Sequence, residues 1–263
     1  MSIPSVREKW EQGIKCINGW CAMPSTITAE IVARQPFDTL TIDLQHGLVD
    51  YQTALTMLQA MGVSKVPKLA RVRWNDPGFI MALLDAGFTG IICPMINTRA
   101  EAEAFVSACH YAPRGSRSFG PTRAAIAYGA DYQKQSNTRI ATLAMIETRE
   151  ALANLDDILT VEGLDAVYIG PSDLAISMGY PPSLENIAPD IEEAIRTIRE
   201  KAHAAGRFAG IHTGNATVAA AKLAEGFDLA SLSTDTKIFS AAVADMLQKA
   251  RPEAGDKMVK ALY

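Results

Sequence analysis

Two acids in the middle of the chain carry the clearest chemical signal. Glu147 ends the apolar run Ala141–Ile146, and Asp173 follows a second apolar run, Ala166–Ile169, after Gly170-Pro171-Ser172. The stretch between the runs has the length and period of a helix. Residues 141–173 therefore read as a β-α-β unit with one acid just past each strand. Both acids then emerge on one edge of a parallel sheet, at the strand C-termini where α/β proteins build their sites. Two carboxylates held close together repel unless a cation or a shared proton lies between them. A hard divalent ion satisfies such a pair and leaves its other positions to water and substrate. Taken singly, each acid could instead cap the helix it opens.

The other predicted strand ends add to the set. Trp20 closes the first, TIDLQHG places Asp43, Gln45 and His46 at the second, and LARVRW places Arg71 at the third. His212 lies in GIHTG after the seventh, and Asp235 lies beyond the eighth. Arg71 could grip a carboxylate with two parallel hydrogen bonds. The main-chain N–H groups of Gly170 and Ser172, at a helix start, could hold the same carboxylate. His46 is a candidate general base, because imidazole is the side chain best suited to proton transfer near neutral pH. With an ion to polarise a carbonyl and stabilise an enolate, these parts would deprotonate a small 2-oxo acid next to its carbonyl. Each residue also has a plainer reading. Arg71 could pair with a loop acid, Asp43 could cap a loop, and His46 and His212 could be hydrogen-bonded structure. Trp20 could line a pocket, and Asp85 in LLDAG could sit on the surface.

These residues need a scaffold that brings eight strand ends together. Strands are expected at 16–22, 39–43, 66–71, 90–95, 141–147, 165–169, 207–212 and 228–232. Amphipathic segments alternate with them at 27–35, 51–61, 77–87, 99–110, 148–159, 190–205, 215–226 and about 237–250. Gly62, Gly87, Gly163, Gly206 and Gly226 fall where helices should stop. Strict alternation over 263 residues, 48% of them hydrophobic, predicts an α/β fold: one (β/α)8 TIM barrel over residues 1–263. An open doubly wound sheet would want a Gly-rich phosphate loop after its first strand, and WCAMPST is not one. Residues 112–138 form a long Gly- and Arg-bearing connection, and 173–189 read as a short helix with a Pro-rich linker. Lys68 shares neither face nor period with Arg71 and is expected on the outside of its strand.

Net charge is -4 with a pI near 5.6, and no basic patch points to nucleic acid. No apolar run spans a membrane, and the polar start is not a secretory signal. Cys16, Cys21, Cys93 and Cys109 are scattered and read as reduced thiols of a cytoplasmic protein, not as a zinc site.

TIDLQHG, RVRWNDP, LLDAG, PMINTRAEAE, MIETREALANLDDIL and VEGLDAVYIGPSDLAISMGY resemble, in order and spacing, the metal-dependent class II pyruvate aldolases of the HpcH/HpaI type. The resemblance covers about residues 10 to 250. It implies a barrel assembled as trimers or hexamers, with the last helix exchanged between subunits. It implies a divalent ion (Mg2+, Mn2+ or Co2+) on Glu147 and Asp173, chelated by pyruvate. Arg71 matches the arginine that steadies the pyruvate oxygens, and Gly170 and Ser172 match the carboxylate cradle. His46 matches the histidine proposed to pass protons to the aldol hydroxyl, with Asp43 and Asp85 in support. Asp85 matches an acid that can reach a neighbouring subunit's site. The implied reaction cleaves a 4-hydroxy-2-oxo acid to pyruvate and an aldehyde. A citryl- or malyl-thioester lyase on the same scaffold, or a barrel that only binds a small acid, is the alternative. Gln45 stands where the family often has glutamate, Met145 where it often has glutamine, and His212 where many members are apolar. These departures imply an altered substrate range.

Overall fold

The computed structural model describes residues 2–251. Eight parallel strands close into a barrel in sequential order, each paired with its neighbours and the eighth with the first. They are β1 (Cys16–Cys21), β2 (Thr39–Asp43), β3 (Lys68–Arg71), β4 (Gly90–Cys93), β5 (Ala141–Ile146), β6 (Ala166–Ile169), β7 (Phe208–Ile211) and β8 (Leu229–Thr234). The helices are α1 (Val6–Glu11), α2 (Thr26–Ala33), α3 (Tyr51–Ala60), α4 (Pro77–Ala86), α5 (Arg99–Cys109), α6 (Thr122–Tyr128), α7 (Tyr132–Arg139), α8 (Arg149–Ala153), α9 (Leu155–Leu159), α10 (Pro171–Met178), α11 (Pro189–Ala204), α12 (Ala216–Ala224) and α13 (Asp235–Ala250). The (β/α)8 expectation holds.

Strand alternation divides the core into two layers. Along β5, Ala141, Leu143 and Met145 join the interior cluster with Trp20, Leu69 and Tyr168, while Ala144 and Ile146 pack in the layer shared with the helices. The same period puts Leu69 and Arg71 inside β3, and Lys68 and Ala70 outside. The Lys68 ammonium donates to the Ser64 carbonyl, as its expected outward placement requires. Val6 and Trp10 of α1 belong to the interior cluster, and Trp10 stacks 5.0 Å from Phe208 at the start of β7. This helix, not foreseen from the sequence, plugs the N-terminal end of the barrel and leaves the opposite end open.

Several segments differ from expectation. The connection at 112–138 is not a plain loop, because α6 and α7 occupy much of it. The helix expected at 148–159 breaks at Asn154 into α8 and α9. The fourth strand stops at Cys93, and Met95 beyond it adopts φ 56°, a left-handed backbone that a non-glycine residue rarely takes. Gly87, Gly163, Gly206 and Gly226 all take positive φ at helix ends, but Gly62 lies inside a single 3-10 turn, Met61–Val63. All four cysteines are buried and free. The apolar tail at 258–263 lies outside the described residues.

Candidate active site

The C-terminal strand ends surround a cavity of about 620 Å³. Trp20, Asp43, His46, Arg71, Gly170, Ser172, Asp173 and His212, all expected at a site, line it. Strand register explains two of the pairings. Asp43 stands directly across from Arg71 on β2 and β3. Ile146 stands across from Ile169 on β5 and β6, so Glu147 follows beside Gly170.

Asp43 is the hub of the arginine side. Arg71 Nε donates to its Oδ1 at 2.9 Å and Arg71 Nη2 to its Oδ2 at 2.6 Å. Trp20 Nε1 donates to Oδ2 at 3.2 Å, and the main-chain N–H groups of Gln45 and His46 donate to Oδ1 at 3.0 and 3.3 Å. Burial alone would raise the Asp43 pKa, but the Arg71 charge and the hydrogen bonds together hold it below the ordinary value. The expected two-pronged grip of Arg71 on a substrate is therefore corrected: the Nε/Nη2 edge is committed to Asp43. Nη1 makes no hydrogen bond among the described residues, and the guanidinium lies 4.9 Å from the centre of the Trp20 ring.

Glu147 is buried, yet it is not a helix cap. The Thr148 side chain caps α8, accepting from Ala151 N at 2.9 Å. One oxygen of Glu147, Oε1, accepts the Met95 N–H at 2.8 Å, which the left-handed turn at Met95 points towards it. Oε2 has no hydrogen bond among the described residues and hangs over Gly170, where an added Cβ would lie 2.5 Å from it. Only glycine leaves that oxygen room. Burial, with Asp173 adding, pushes the Glu147 pKa up to about 7, against the Met95 N–H and Arg71. Asp173 is exposed to the cavity in the first turn of α10 and makes no hydrogen bond among the described residues. No side chain caps α10, whose N-cap is Gly170; its first residue, Pro171, has no N–H, and Gly170, Ser172 and Asp173 around it line the cavity.

A buried carboxylate with one bare oxygen, near a second unpaired carboxylate, is a donor set that suits a divalent cation. Among the described residues, no group of three or more His, Cys, Asp and Glu side chains is placed to enclose one. Protein ligation would thus rest on Glu147 and Asp173, leaving the remaining positions to water and substrate.

His46 is exposed at the cavity mouth. His212 Nδ1 lies 3.3 Å from the Tyr168 hydroxyl and 3.2 Å from Ser231 Oγ, and its ring packs edge-on against Trp20. Burial, with Arg71 adding, pulls its pKa down to about 3, so it lines the cavity as a neutral ring. Met145 also lines the cavity and makes that wall apolar. Asp85 is not brought to this chain's cavity. Its Oδ1 accepts from Arg117 Nη2 at 2.7 Å, and Arg117 is itself held over the rings of Tyr111 and Tyr132. Asp235 is structural, accepting the N–H groups of Ala22 and Met23 and so tying β8 to the end of β1. Sequence reasoning missed Met95 and Lys237. Met95 carries no local signal beyond a preceding proline, and Lys237 lies past the end of β8, on α13.

The sequence and the fold are both similar to those of known proteins. The sequence profile of the HpcH/HpaI aldolase/citrate lyase family matches residues 18–242. A hydroxypyruvate/pyruvate aldolase of Rhizorhabdus wittichii is 46% identical, covering 94% of this chain and 98% of its own. A 4-hydroxy-2-oxo-heptane-1,7-dioate aldolase of Shigella flexneri is 38% identical over 85% of this chain and 84% of its own. Among solved structures, an HpcH/HpaI aldolase/citrate lyase family protein of Burkholderia cenocepacia superposes with a TM-score of 0.87 at 25% identity, covering 94% of this chain and 98% of that one. With the family profile covering most of the chain and a relative 46% identical over 94% of it, the chain belongs to the HpcH/HpaI aldolase/citrate lyase family.

Proposed function

We propose that this aldolase reversibly cleaves a 4-hydroxy-2-oxo acid to pyruvate, or a closely related 2-oxo acid, and an aldehyde. The observation that carries the reading is Glu147: buried, half-bonded, directly behind the cavity-lining Gly170 and close enough to Asp173 and Arg71, which line the cavity, to feel both charges. The two most similar relatives above are named for such reactions.

Glu147 and Asp173 would hold a divalent ion, Mg2+, Mn2+ or Co2+, which when bound supplies Lewis-acid polarisation of the 2-oxo group. The chain's own groups do the rest. The main-chain N–H groups at the start of α10, at Gly170 and Ser172, donate to the substrate carboxylate. Asp43 fixes Arg71 so that Nη1 faces the 2-oxo oxygen, where negative charge grows as the C3–C4 bond breaks. His46, at the mouth, takes the C4-hydroxyl proton as the C3–C4 bond breaks, the aldehyde leaves towards solvent, and a proton returned to C3 completes pyruvate. Neutral His212 and the Trp20 ring wall the pocket without competing for that proton. Lys68 lies outside the barrel and takes no part. Asp85, on this reading, serves a neighbouring subunit's site rather than its own. The exposed Ile238, Phe239, Val243, Met246 and Leu247 on α13 support assembly of copies through that helix, as a trimer or hexamer. Among the described residues no helix is long and apolar enough to cross a membrane, and a cytoplasmic location fits the reduced cysteines.

A coupled pyruvate-release assay over a panel of 4-hydroxy-2-oxo acids, with and without added metal, tests the reading. Release that depends on metal is expected. Cleavage of a malyl thioester in place of the panel would assign the lyase alternative, and binding of pyruvate without any turnover would assign a non-catalytic barrel.

A further inference from the structure

Across the barrel from Arg71 the cavity has a second wall of different chemistry. In a closed ring of eight strands, β7 stands four places from β3, so its end faces Arg71 across the mouth. Thr213 after β7, Ser233 and Thr234 on β8, and Lys237 and Ser240 on α13 form this wall. Three of its hydroxyls are already committed. Thr213 Oγ1 donates to the Ser231 carbonyl, Ser233 Oγ donates to the Gly214 carbonyl at 3.0 Å, and Thr234 Oγ1 shares a 2.8 Å bond with Thr236 and accepts the Lys237 N–H at 3.3 Å.

The Lys237 ammonium differs from them. It is half-buried on the cavity wall, and it makes no hydrogen bond or ion pair with any described residue. The acids on this flank are occupied elsewhere. Asp235 accepts from Ala22, Met23 and Thr236, and Glu185 accepts from Asn215 Nδ2 at 2.9 Å. The Lys237 charge reaches into the cavity, adding to the pull that keeps His212 neutral. Elsewhere in the molecule, half-buried Lys9 pairs with Asp38 and buried Lys222 with Glu192, while buried Lys68 donates to the Ser64 carbonyl. A half-buried ammonium without a counter-ion, facing the reacting end of a substrate cavity, is a binding group for an anion.

We infer that Lys237 receives an anionic group at the far end of the aldehyde, a carboxylate or a phosphate, and so makes the enzyme prefer acidic aldehydes over neutral ones of equal length. The inference rests on the aldolase reading and names the substrate class of that site. A 2-oxo acid anchored at Arg71 and α10 directs its aldehyde portion away from them, towards this wall. A neutral aldehyde leaves the ammonium to water, whereas an anionic one exchanges that water for a charge-assisted contact.

The test is aldol addition of pyruvate to three kinds of aldehyde: succinic semialdehyde, glyceraldehyde 3-phosphate, and the neutral butanal and glyceraldehyde. Wild-type enzyme, Lys237→Met and Lys237→Arg are compared by the ratio of kcat/KM for acidic over neutral aldehyde. Wild-type enzyme is expected to favour at least one acidic aldehyde about tenfold or more, with the preference weakening as ionic strength rises. The arm that shows it, carboxylate or phosphate, names the anion. Lys237→Met is expected to abolish the preference, and Lys237→Arg to restore most of it, which also separates anion binding from imine formation. An unchanged ratio in Lys237→Met, or no preference in the wild type, overturns the inference while leaving pyruvate chemistry intact. Wild-type enzyme that adds pyruvate to no aldehyde removes the aldolase reading and this inference together.

Discussion

The two ends of the barrel use buried acids in opposite ways. At the N-terminal end, Asp165 accepts Thr142 N–H at 2.9 Å and pairs with Arg7 Nε at 3.2 Å. Asp228 accepts Ala209 N–H at 2.9 Å, His203 Nε2 at 2.8 Å and Lys15 Nζ at 2.8 Å. Both carboxylates there are matched by donors from the chain itself. At the C-terminal end Asp43 and Asp235 are treated so. Glu147 receives one N–H, and Asp173 makes no hydrogen bond among the described residues. Burying a charge without partners is costly. A fold that saturates its acids at one end and leaves two short at the other reserves the second end for a ligand that completes them.

The contrast is sharpest in the loss of Glu147. Glu147→Gln keeps the shape but halves the anionic pair, and pyruvate release is expected to fall by roughly a thousandfold or more if the ion supplies the main polarisation. Circular dichroism should show the fold kept, and activity within tenfold of wild type would break the comparison. Asp43→Asn should affect both function and stability, because it strands the buried Arg71. Denaturant unfolding should register a loss of about 3–5 kcal/mol near neutral pH. Its pH dependence has a definite sign. The folded pKa of Asp43 lies below the ordinary value, so its contribution is complete above the unfolded carboxylate range and is lost as pH falls through the folded pKa. The difference between wild type and variant should therefore shrink in acid.

At the opposite end, Asp165→Asn removes the Arg7 pair and weakens the bonds to Thr142. A stability loss of about 1–3 kcal/mol is expected, with kcat/KM for the aldol substrate nearly unchanged. Activity falling as far as in Glu147→Gln would show that the two ends are not separate in role. The smallest effect belongs to Lys68. Burial, with Arg123 adding, lowers its pKa to about 8. Between that value and its ordinary one the unfolded chain binds more protons, so stability rises with pH there. Lys68→Met should flatten that rise in thermal melts taken across the same window, and a curve that still rises as steeply would contradict the assignment.

The strands of the barrel were legible because strands buried on both faces read as short apolar runs, and the acids Glu147 and Asp173 stand out where those runs stop. What escaped the sequence depends on longer range. The Asp43–Arg71 pair follows from the register of β2 on β3, which no local pattern encodes. Hence Arg71 was expected to give both prongs to substrate, when Asp43 takes them. In 112–138, α6 is only two turns long and the polar α7 has no apolar stripe to announce it. Met95 takes a left-handed backbone between β4 and its hydrogen bond to Glu147, and Lys237 lies in the first turn of a helix that forms part of the cavity wall. Composition identifies neither.

The most direct test of the unsatisfied acid pair needs no aldehyde at all. Solvent deuterium exchange into the methyl group of pyruvate, followed by proton NMR, reports C3 deprotonation at the reacting end alone. Wild-type protein with added Mg2+ or Mn2+ is predicted to catalyse the exchange, and the exchange is predicted to stop with excess chelator and in Glu147→Gln. Exchange that continues undiminished in chelator, or in that variant, would contradict the account.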